Sequence, residues 1–265
     1  MAITERPATP GVIDPGAAQE TVHEGRRSVG RYVFMPVLLG AVLLALYLWV
    51  SAKELGGTEQ RRLTRESITT GTIEHLQLTA ISTVIVLAIA IPLGVLLTRP
   101  VLGRITQPAV AVFNIGQALP TIGLVVLLAV VWDIGFWPVV VALVAYTVLP
   151  VLRNTMVGLR QVDPAVIESA RGMGMTRLGV LLQIELPLAV PIIMAGVRTA
   201  LVINVGTATL AAFVDGGGLG TLIVSGTTSG RETITIVGAV LTAVLALLVD
   251  YVAGVAEDLI RPKGL

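Results

Sequence analysis

The sequence predicts an all-α, polytopic membrane protein, a bundle of about six transmembrane helices with both termini in the cytoplasm. The chain is 54% hydrophobic and 13% charged, whereas soluble domains are about 45–50% apolar and about 25% charged. Its mean hydropathy is +0.88. The apolar residues are also gathered into long runs, and a helical bundle in lipid explains both the composition and the runs.

Six apolar runs are long enough to cross a hydrocarbon core of about 30 Å as helices. Lipid does not tolerate unpaired strand edges, and the runs are too long and too uniformly apolar for barrel strands, so each is predicted to be a helix. The runs are 32–50, 76–98, 109–131, 136–152, 188–213 and 234–252.

The first run divides a tail from the membrane domain. Residues 1–27 are rich in Pro, Ala, Gly, Thr and Glu without an apolar period, so we expect a disordered cytoplasmic tail over 1–30. A cleaved signal peptide is a weaker interpretation of 32–50, because the stretch before it is too long and no small-residue cleavage site follows it cleanly. The first helix and an outer loop then occupy 31–75, and the main transmembrane domain occupies 76–260.

The basic residues orient the bundle. Cytoplasmic loops carry the excess of Lys and Arg, and with both termini inside, twelve of the 18 basic residues are cytoplasmic and five are outside, with Arg198 left within a span. The cytoplasmic residues are Arg6, Arg26, Arg27, Arg31, Arg99, Arg104, Arg153, Arg160, Arg171, Arg177, Arg261 and Lys263, and the outer ones are Lys53, Arg61, Arg62, Arg65 and Arg231.

The stretch 178–214 can be divided into one span or two. Two spans would need a turn close to Arg198 and would export one terminus. We therefore predict a short interfacial helix that ends at Pro187, followed by a single span, which keeps the charge pattern intact.

Several classes of function are excluded by what the sequence lacks. There is no cysteine, and His23 and His75 lie far apart in polar stretches, so neither a metal site nor a catalytic set is predicted. A net charge of +1 gives no sign of a nucleic-acid partner; the bilayer is the partner that the composition indicates. Asp133 and Asp250 lie near span ends, so we find no mid-membrane acid of the kind that an ion-driven transporter uses.

The loop 162–187 is the most informative segment. Asp163 is a good N-cap, Pro164 suits the first helical position, and Gly172 or Gly174 supplies a left-handed stop, which together predict a helix of two to three turns. Its apolar side favours either docking in a groove or lying on the bilayer surface, and the residues alone leave both open. That side consists of Val166, Ile167, Ala170 and Met173.

This loop resembles the EAA loop of bacterial ABC importer permeases of type I, whose fold is MetI-like. The family pattern is Glu-Ala-Ala, three residues, Gly, nine residues, then Ile-x-Leu-Pro, and the spacing fits throughout. The one departure is Ser169 in place of Ala, a small-for-small change that still allows close packing. The matching residues are Glu168, Ser169, Ala170, Gly174, Ile184, Leu186 and Pro187.

The resemblance implies that the loop is a coupling helix seated in a cleft of a separate ATPase dimer. With Asp163 and Gly172, the matching residues are then the ATPase-coupling set, within a cytoplasmic loop over 153–187. ATP and Mg are expected on the partner and no cofactor on this chain, which lacks a phosphate-binding loop. The chain is then a transporter subunit and not an enzyme.

Four further stretches are similar to the osmoprotectant branch of that family, which moves glycine betaine, choline, carnitine or proline betaine. The resemblance implies an extracytoplasmic binding protein, a second permease that is either identical or a paralogue, and a bacterial cytoplasmic membrane. A methionine or polar amino-acid importer is the alternative; an ATP-independent channel or scaffold would need no coupling loop. The stretches are 117–121, 149–155, 168–176 and 196–220.

Polar and helix-breaking residues inside the spans are candidates for the translocation path. Their other interpretation is packing between helices, which Ser, Thr and Asn commonly stabilise by about 0.6 kcal/mol per contact. Arg198 is costly in a span, so it either faces protein, water or a carboxylate, or extends to the interface. The candidates are Asn114, Gln117, Pro120, Thr121, Arg198, Asn204, Thr207 and Thr209.

Overall fold

The computed structural model describes residues 29–260, and in that range it consists of helices and their connections. Residues 1–28 of the tail expected over 1–30, and the last five residues, lie outside the described residues. The α-helices are α1 Val29–Ser51, α2 Gly57–Arg62, α3 Arg65–Leu97, α4 Gly103–Ala118, α5 Thr121–Val131, α6 Phe136–Arg160, α7 Pro164–Gly172, α8 Arg177–Val180, α9 Leu186–Ala208, α10 Gly220–Thr228 and α11 Glu232–Ile260.

Helix α6 is the centre of the bundle, because its neighbours approach it through small residues. A Cβ on Gly94 of α3 would lie 2.7 Å from the Thr155 side chain, and one on Gly196 of α9 would lie 2.6 Å from Asn154. A Cβ on Gly116 of α4 would lie 2.8 Å from a carbonyl oxygen of α6. Small residues of this kind let transmembrane helices pack with their backbones close together.

Helices α3 and α6 run in the same direction. Leu78, early in α3, packs in a cluster with Leu143 from the first half of α6. Leu97, at the end of α3, packs with Leu159 at the end of α6. The chain between them must therefore return from one face of the membrane to the other.

That return is made by α4 and α5, which meet at an angle of 91°. Asn114 of α4 bonds to the second half of α6, while Val125 of α5 packs with the first half. The pair is thus a broken span and not a re-entrant loop, so the described residues cross the membrane six times. The helix predicted over 109–131 is divided in two, because Pro120, one of its candidate helix-breaking residues, occupies the break and cannot continue the backbone ladder.

The fifth span differs from its prediction. Residues Arg177–Val214 form one continuous helical rod of 38 residues, with a π-helical turn over Leu181–Glu185. The expectation that Pro187 ends a separate interfacial helix is wrong, since Pro187 lies in the first turn of α9, where a missing N–H is tolerated. The fourth span is also longer than predicted and continues to Arg160, which places Arg153 inside α6.

The first span lies at the edge of the bundle against α11. The Tyr251 hydroxyl donates to the Tyr32 carbonyl oxygen over 2.9 Å, and many apolar side chains of α1 are exposed, as expected of a helix surrounded by lipid. At the outer end, the Glu59 carboxylate accepts a 2.7 Å bond from the Gly56 N–H at the start of α2. This bond holds the pKa of Glu59 below its ordinary value.

Candidate functional site

Helix α7 is built as the sequence predicts. The Asp163 carboxylate accepts a 2.8 Å bond from the Ala165 N–H, with Pro164 in the first turn. Two residues after the end of the helix, Gly174 has a left-handed φ of +87°, and the Met175 N–H bonds to the Ala170 carbonyl oxygen over 3.2 Å. Gly174 is therefore the stop, and Gly172 lies within the helix.

The outward side of α7 is uncovered in this chain. Ala170 is buried and attaches the helix to the bundle, whereas Met173 is 78% exposed and Val166 is 42% exposed. Glu168 is exposed as well. Over residues 32–260, whose side chains the structure describes, no Lys or Arg nitrogen lies within 4.0 Å of the Glu168 carboxylate. Apolar and acidic groups are thus presented to whatever lies beyond the loop.

The rest of the coupling set lies closer to the bundle. Ser169 is exposed, and its hydroxyl donates to the Ala165 carbonyl oxygen of its own helix over 2.8 Å. Ile184, Leu186 and Pro187 are half-buried in the π-helical turn and the start of α9. One continuous helical rod therefore carries the end of the motif directly into the fifth span.

The candidates of the third span contact α6. The Arg153 guanidinium donates to Asn114 Oδ1 over 2.7 Å, and Gln117 Nε2 donates to the Tyr146 carbonyl oxygen over 2.9 Å. Pro120 is exposed at the break, and Thr121 begins α5. The break between α4 and α5 therefore has exposed polar groups beside it.

The candidates of the fifth span do not form one surface. Asn204 is fully buried; its amide donates to Thr83 Oγ1 over 3.1 Å and accepts from Thr147 Oγ1 over 3.3 Å. This position favours packing among α3, α6 and α9. The hydroxyls of Thr207 and Thr209 donate within their own helical rod, and Thr209 also lines a cavity of about 240 Å³ beside α10.

Arg198 is paired with carboxylates of α11. Its Nε and Nη2 each donate to the Asp250 carboxylate over 3.0 Å, and Nη1 lies 3.4 Å from Glu257 Oε2. The three residues line a cavity of about 460 Å³. Arg198 thus faces carboxylates, one of the alternatives predicted for it. Asp250, to which the sequence assigns no role, is its partner, and their separation of 52 residues keeps local sequence from identifying the pair.

His75 also differs from its prediction. It is not a residue of a solvated stretch but is fully buried in α3. Its Nε2 donates to the Val205 carbonyl oxygen over 2.9 Å, and Nδ1 accepts from the Leu219 N–H over 3.3 Å. The neighbouring Glu74 carboxylate accepts from the Gly218 N–H over 2.8 Å. These bonds tie the glycine-rich outer loop to α3.

Comparison with known proteins gives a family match and similar curated proteins. The model of the family described as binding-protein-dependent transport system inner membrane component matches residues 90–262. The glycine betaine/carnitine/choline transport system permease protein OpuCB of Bacillus subtilis is 42% identical over 192 residues, 72% of this chain and 88% of that protein. The choline transport system permease protein OpuBB of the same organism is 41% identical over 194 residues, 73% of this chain and 88% of its own length.

Solved structures share the fold. A chain of the methionine ABC transporter MetNI, in inward-facing conformations, has a TM-score of 0.65 and 25% identity and covers 74% of this chain and 96% of its own length. A chain of a bacterial ABC transporter involved in the import of alginate has a TM-score of 0.57 at 15% identity, over 88% of this chain and 94% of its own. Because the family model spans residues 90–262 and OpuCB is 42% identical, this chain belongs to the family of inner-membrane components of binding-protein-dependent transport systems.

Proposed function

We propose that this chain is the permease subunit of an ATP-driven importer of quaternary ammonium osmoprotectants. The observation that carries the proposal is helix α7, a capped helix on the cytoplasmic side whose Glu168 and Met173 are exposed and whose end continues into the fifth span. Such a helix can receive a push from a partner and pass it to a transmembrane element.

The partner in this proposal is a dimer of separate ATPase subunits, which would bind the ATP and Mg. The exposed Val166 and Met173 would fill an apolar cleft of the ATPase, and the exposed Glu168 would meet a cationic group there. Gly174 lets the chain turn sharply behind the helix without strain. The apolar side of α7 favours such docking, although a helix on the bilayer surface would expose similar residues.

The substrate class is supported by the curated relatives, whose names include glycine betaine, carnitine and choline. The chain has only 3 Trp, 4 Tyr and 4 Phe, and quaternary ammonium ions are gripped by aromatic cages. Tight selection would therefore belong to an extracytoplasmic binding protein, and the permease would offer a weakly binding path. A path must also release what it admits.

The path itself would lie between this chain and a second permease. Asn114 is exposed in the last turns of α4 and Pro120 is exposed at the break between α4 and α5, so a second subunit could close a path against them. Gln117 and Thr121 flank the same break. We place the assembly in a bacterial cytoplasmic membrane, with α7 and both termini inside.

A coupling variant tests the proposal in cells that express the permease with its ATPase and binding protein. Gly174→Val forces a branched side chain into a left-handed conformation, at a cost of about 1–2 kcal/mol. Since about 1.4 kcal/mol is a factor of ten, uptake of radiolabelled glycine betaine should fall about tenfold or more while the permease still inserts.

Gly103→Ala is the matched control. Gly103 starts α4 with a helical φ of −54°, and an added Cβ would meet no atom within 4 Å. If the Gly174→Val permease imports glycine betaine at the wild-type rate, the loop does not have the proposed role in coupling. Import of methionine without glycine betaine would move the chain to the other importer class, and uptake without any ATPase would identify a channel.

A further inference from the structure

A partly buried ion pair joins the turn after α3 to the π-helical turn at the start of the fifth span. Arg99 Nη2 lies 2.5 Å and Nη1 3.3 Å from the two oxygens of the Glu185 carboxylate, a bidentate arrangement, and Arg99 Nε also donates to the Val95 carbonyl oxygen over 3.2 Å. The Glu185 side chain is 5% exposed and that of Arg99 is 34% exposed. Among the side chains of residues 32–260, Arg99 is the only cation within ion-pair distance of Glu185.

The pair is placed where the coupling loop meets the bundle. Glu185 is the last residue of the π-helical turn that follows α7 and α8. Arg99 lies two residues after the end of α3, in the turn that leads into α4. The Thr106 hydroxyl of α4 donates to the Leu97 carbonyl oxygen over 2.9 Å, and this bond joins α4 to the end of α3. A movement of Glu185 is therefore passed to both α3 and α4.

The backbone on the Glu185 side is weakened. In the π-helical turn Leu181–Glu185, backbone hydrogen bonds join residues that are five apart, whereas an α-helix joins residues that are four apart. Pro187 and Pro191 follow it and cannot donate to the preceding turns. A helical rod with fewer backbone hydrogen bonds bends more easily. The side-chain ion pair at this point therefore controls how much of a movement of α7 reaches the remaining helices.

We propose that Arg99 and Glu185 are a positioning pair that transmits movement of the coupling loop to α3 and α4. The inference rests on the proposed function. Without the pair, ATP hydrolysis would move α7 and the first turns of the fifth span, while α3 and α4, which carries Asn114 at the candidate path, would follow less closely. The pair therefore sets the number of solute molecules imported per ATP.

The test measures uptake and ATP hydrolysis by the complete importer in proteoliposomes. Arg99→Gln and Glu185→Gln should lower the ratio of glycine betaine imported to ATP hydrolysed about tenfold, within the range of ordinary coupling free energies between sites. The double variant Arg99→Glu/Glu185→Arg should recover most of that ratio. Arg104→Gln is the control, because Arg104 is exposed near the same turn and has no carboxylate within 4.0 Å among the side chains of residues 32–260.

The ratio separates transmission from folding. If the single variants lose bound ATPase, or lose both activities in proportion, the pair is only structural and the inference is overturned. A charge-swapped variant no better than the single variants overturns it as well. A wild-type complex that binds no ATPase and imports nothing contradicts the proposed function, whereas a coupled wild type with unchanged variants contradicts only the role of the pair.

Discussion

Asn204 shows how a polar residue is placed in the core of this bundle. Its amide joins Thr83 of α3 and Thr147 of α6, and all three side chains are buried. Among the described residues, no buried side-chain nitrogen or oxygen lacks a hydrogen-bond partner. Burying a polar group costs folding free energy unless the group is hydrogen-bonded. These side chains therefore specify which helices pack together and at which axial position.

A substitution of Asn204 distinguishes packing from a role in the path. Asn204→Ala removes both interhelical bonds and leaves a small cavity, so we expect a loss of about 1–2 kcal/mol of unfolding free energy in detergent. The KM for solute uptake should stay unchanged. Thr199→Ala is the control, because its exposed hydroxyl bonds only to its own helix. Unchanged stability with a several-fold change in KM would place Asn204 in the path.

At the scale of elements, α9 and α11 are joined by charge as well as by packing. Arg198 holds Asp250 through two bonds and lies close to Glu257. A charged side chain in a span is tolerated when it is paired within the protein. The two helices are therefore coupled at a defined register, between the coupling loop and the outer loops.

A double-mutant cycle measures that coupling. Arg198→Ala and Asp250→Ala should each destabilise the bundle, because the first leaves the Asp250 carboxylate without its partner and the second leaves Arg198 with only the longer contact to Glu257. The double variant should lose less than the sum, with an interaction free energy of about 1–3 kcal/mol in detergent unfolding. Arg160→Ala with Asp250→Ala is the control cycle, since Arg160 is exposed at the end of α6. An additive result for Arg198 and Asp250 would show that the pair does not join the helices.

For the whole molecule, the six crossings follow from the parallel course of α3 and α6. A re-entrant pair in place of α4 and α5 would bring the start of α6 to the cytoplasmic side and would carry α7 outside. The side of the membrane on which α7 lies therefore depends on whether α4 and α5 cross the membrane.

Cysteine labelling tests this topology on a clean background, because the chain contains no cysteine. Ile134→Cys, after α5, and Gln60→Cys, in α2, should react with an impermeant maleimide from outside, since Ile134 is 67% exposed and Gln60 is exposed. Met173→Cys should react only once the cytoplasmic side is opened, with the permease expressed alone. Labelling of Ile134→Cys from inside would contradict the broken span.

Much of this organisation could be predicted from the sequence because it depends on neighbouring residues. The apolar runs give the spans, the basic residues give the orientation, and Asp163 with Gly174 gives the bounds of α7. The bend at Pro120 was less predictable, since a proline in a span either kinks a helix slightly or breaks it, and packing against α6 decides which.

The sequence by itself determined that this protein is a bundle of transmembrane helices with a short capped helix before the fifth span, because hydropathy and capping act over a few adjacent residues. Only the tertiary structure decided which buried groups meet. Arg99 and Glu185 are 86 residues apart, and His75 is 130 residues from Val205. Such partners meet only because particular helices pack together at a particular axial position. That arrangement is a property of the folded bundle.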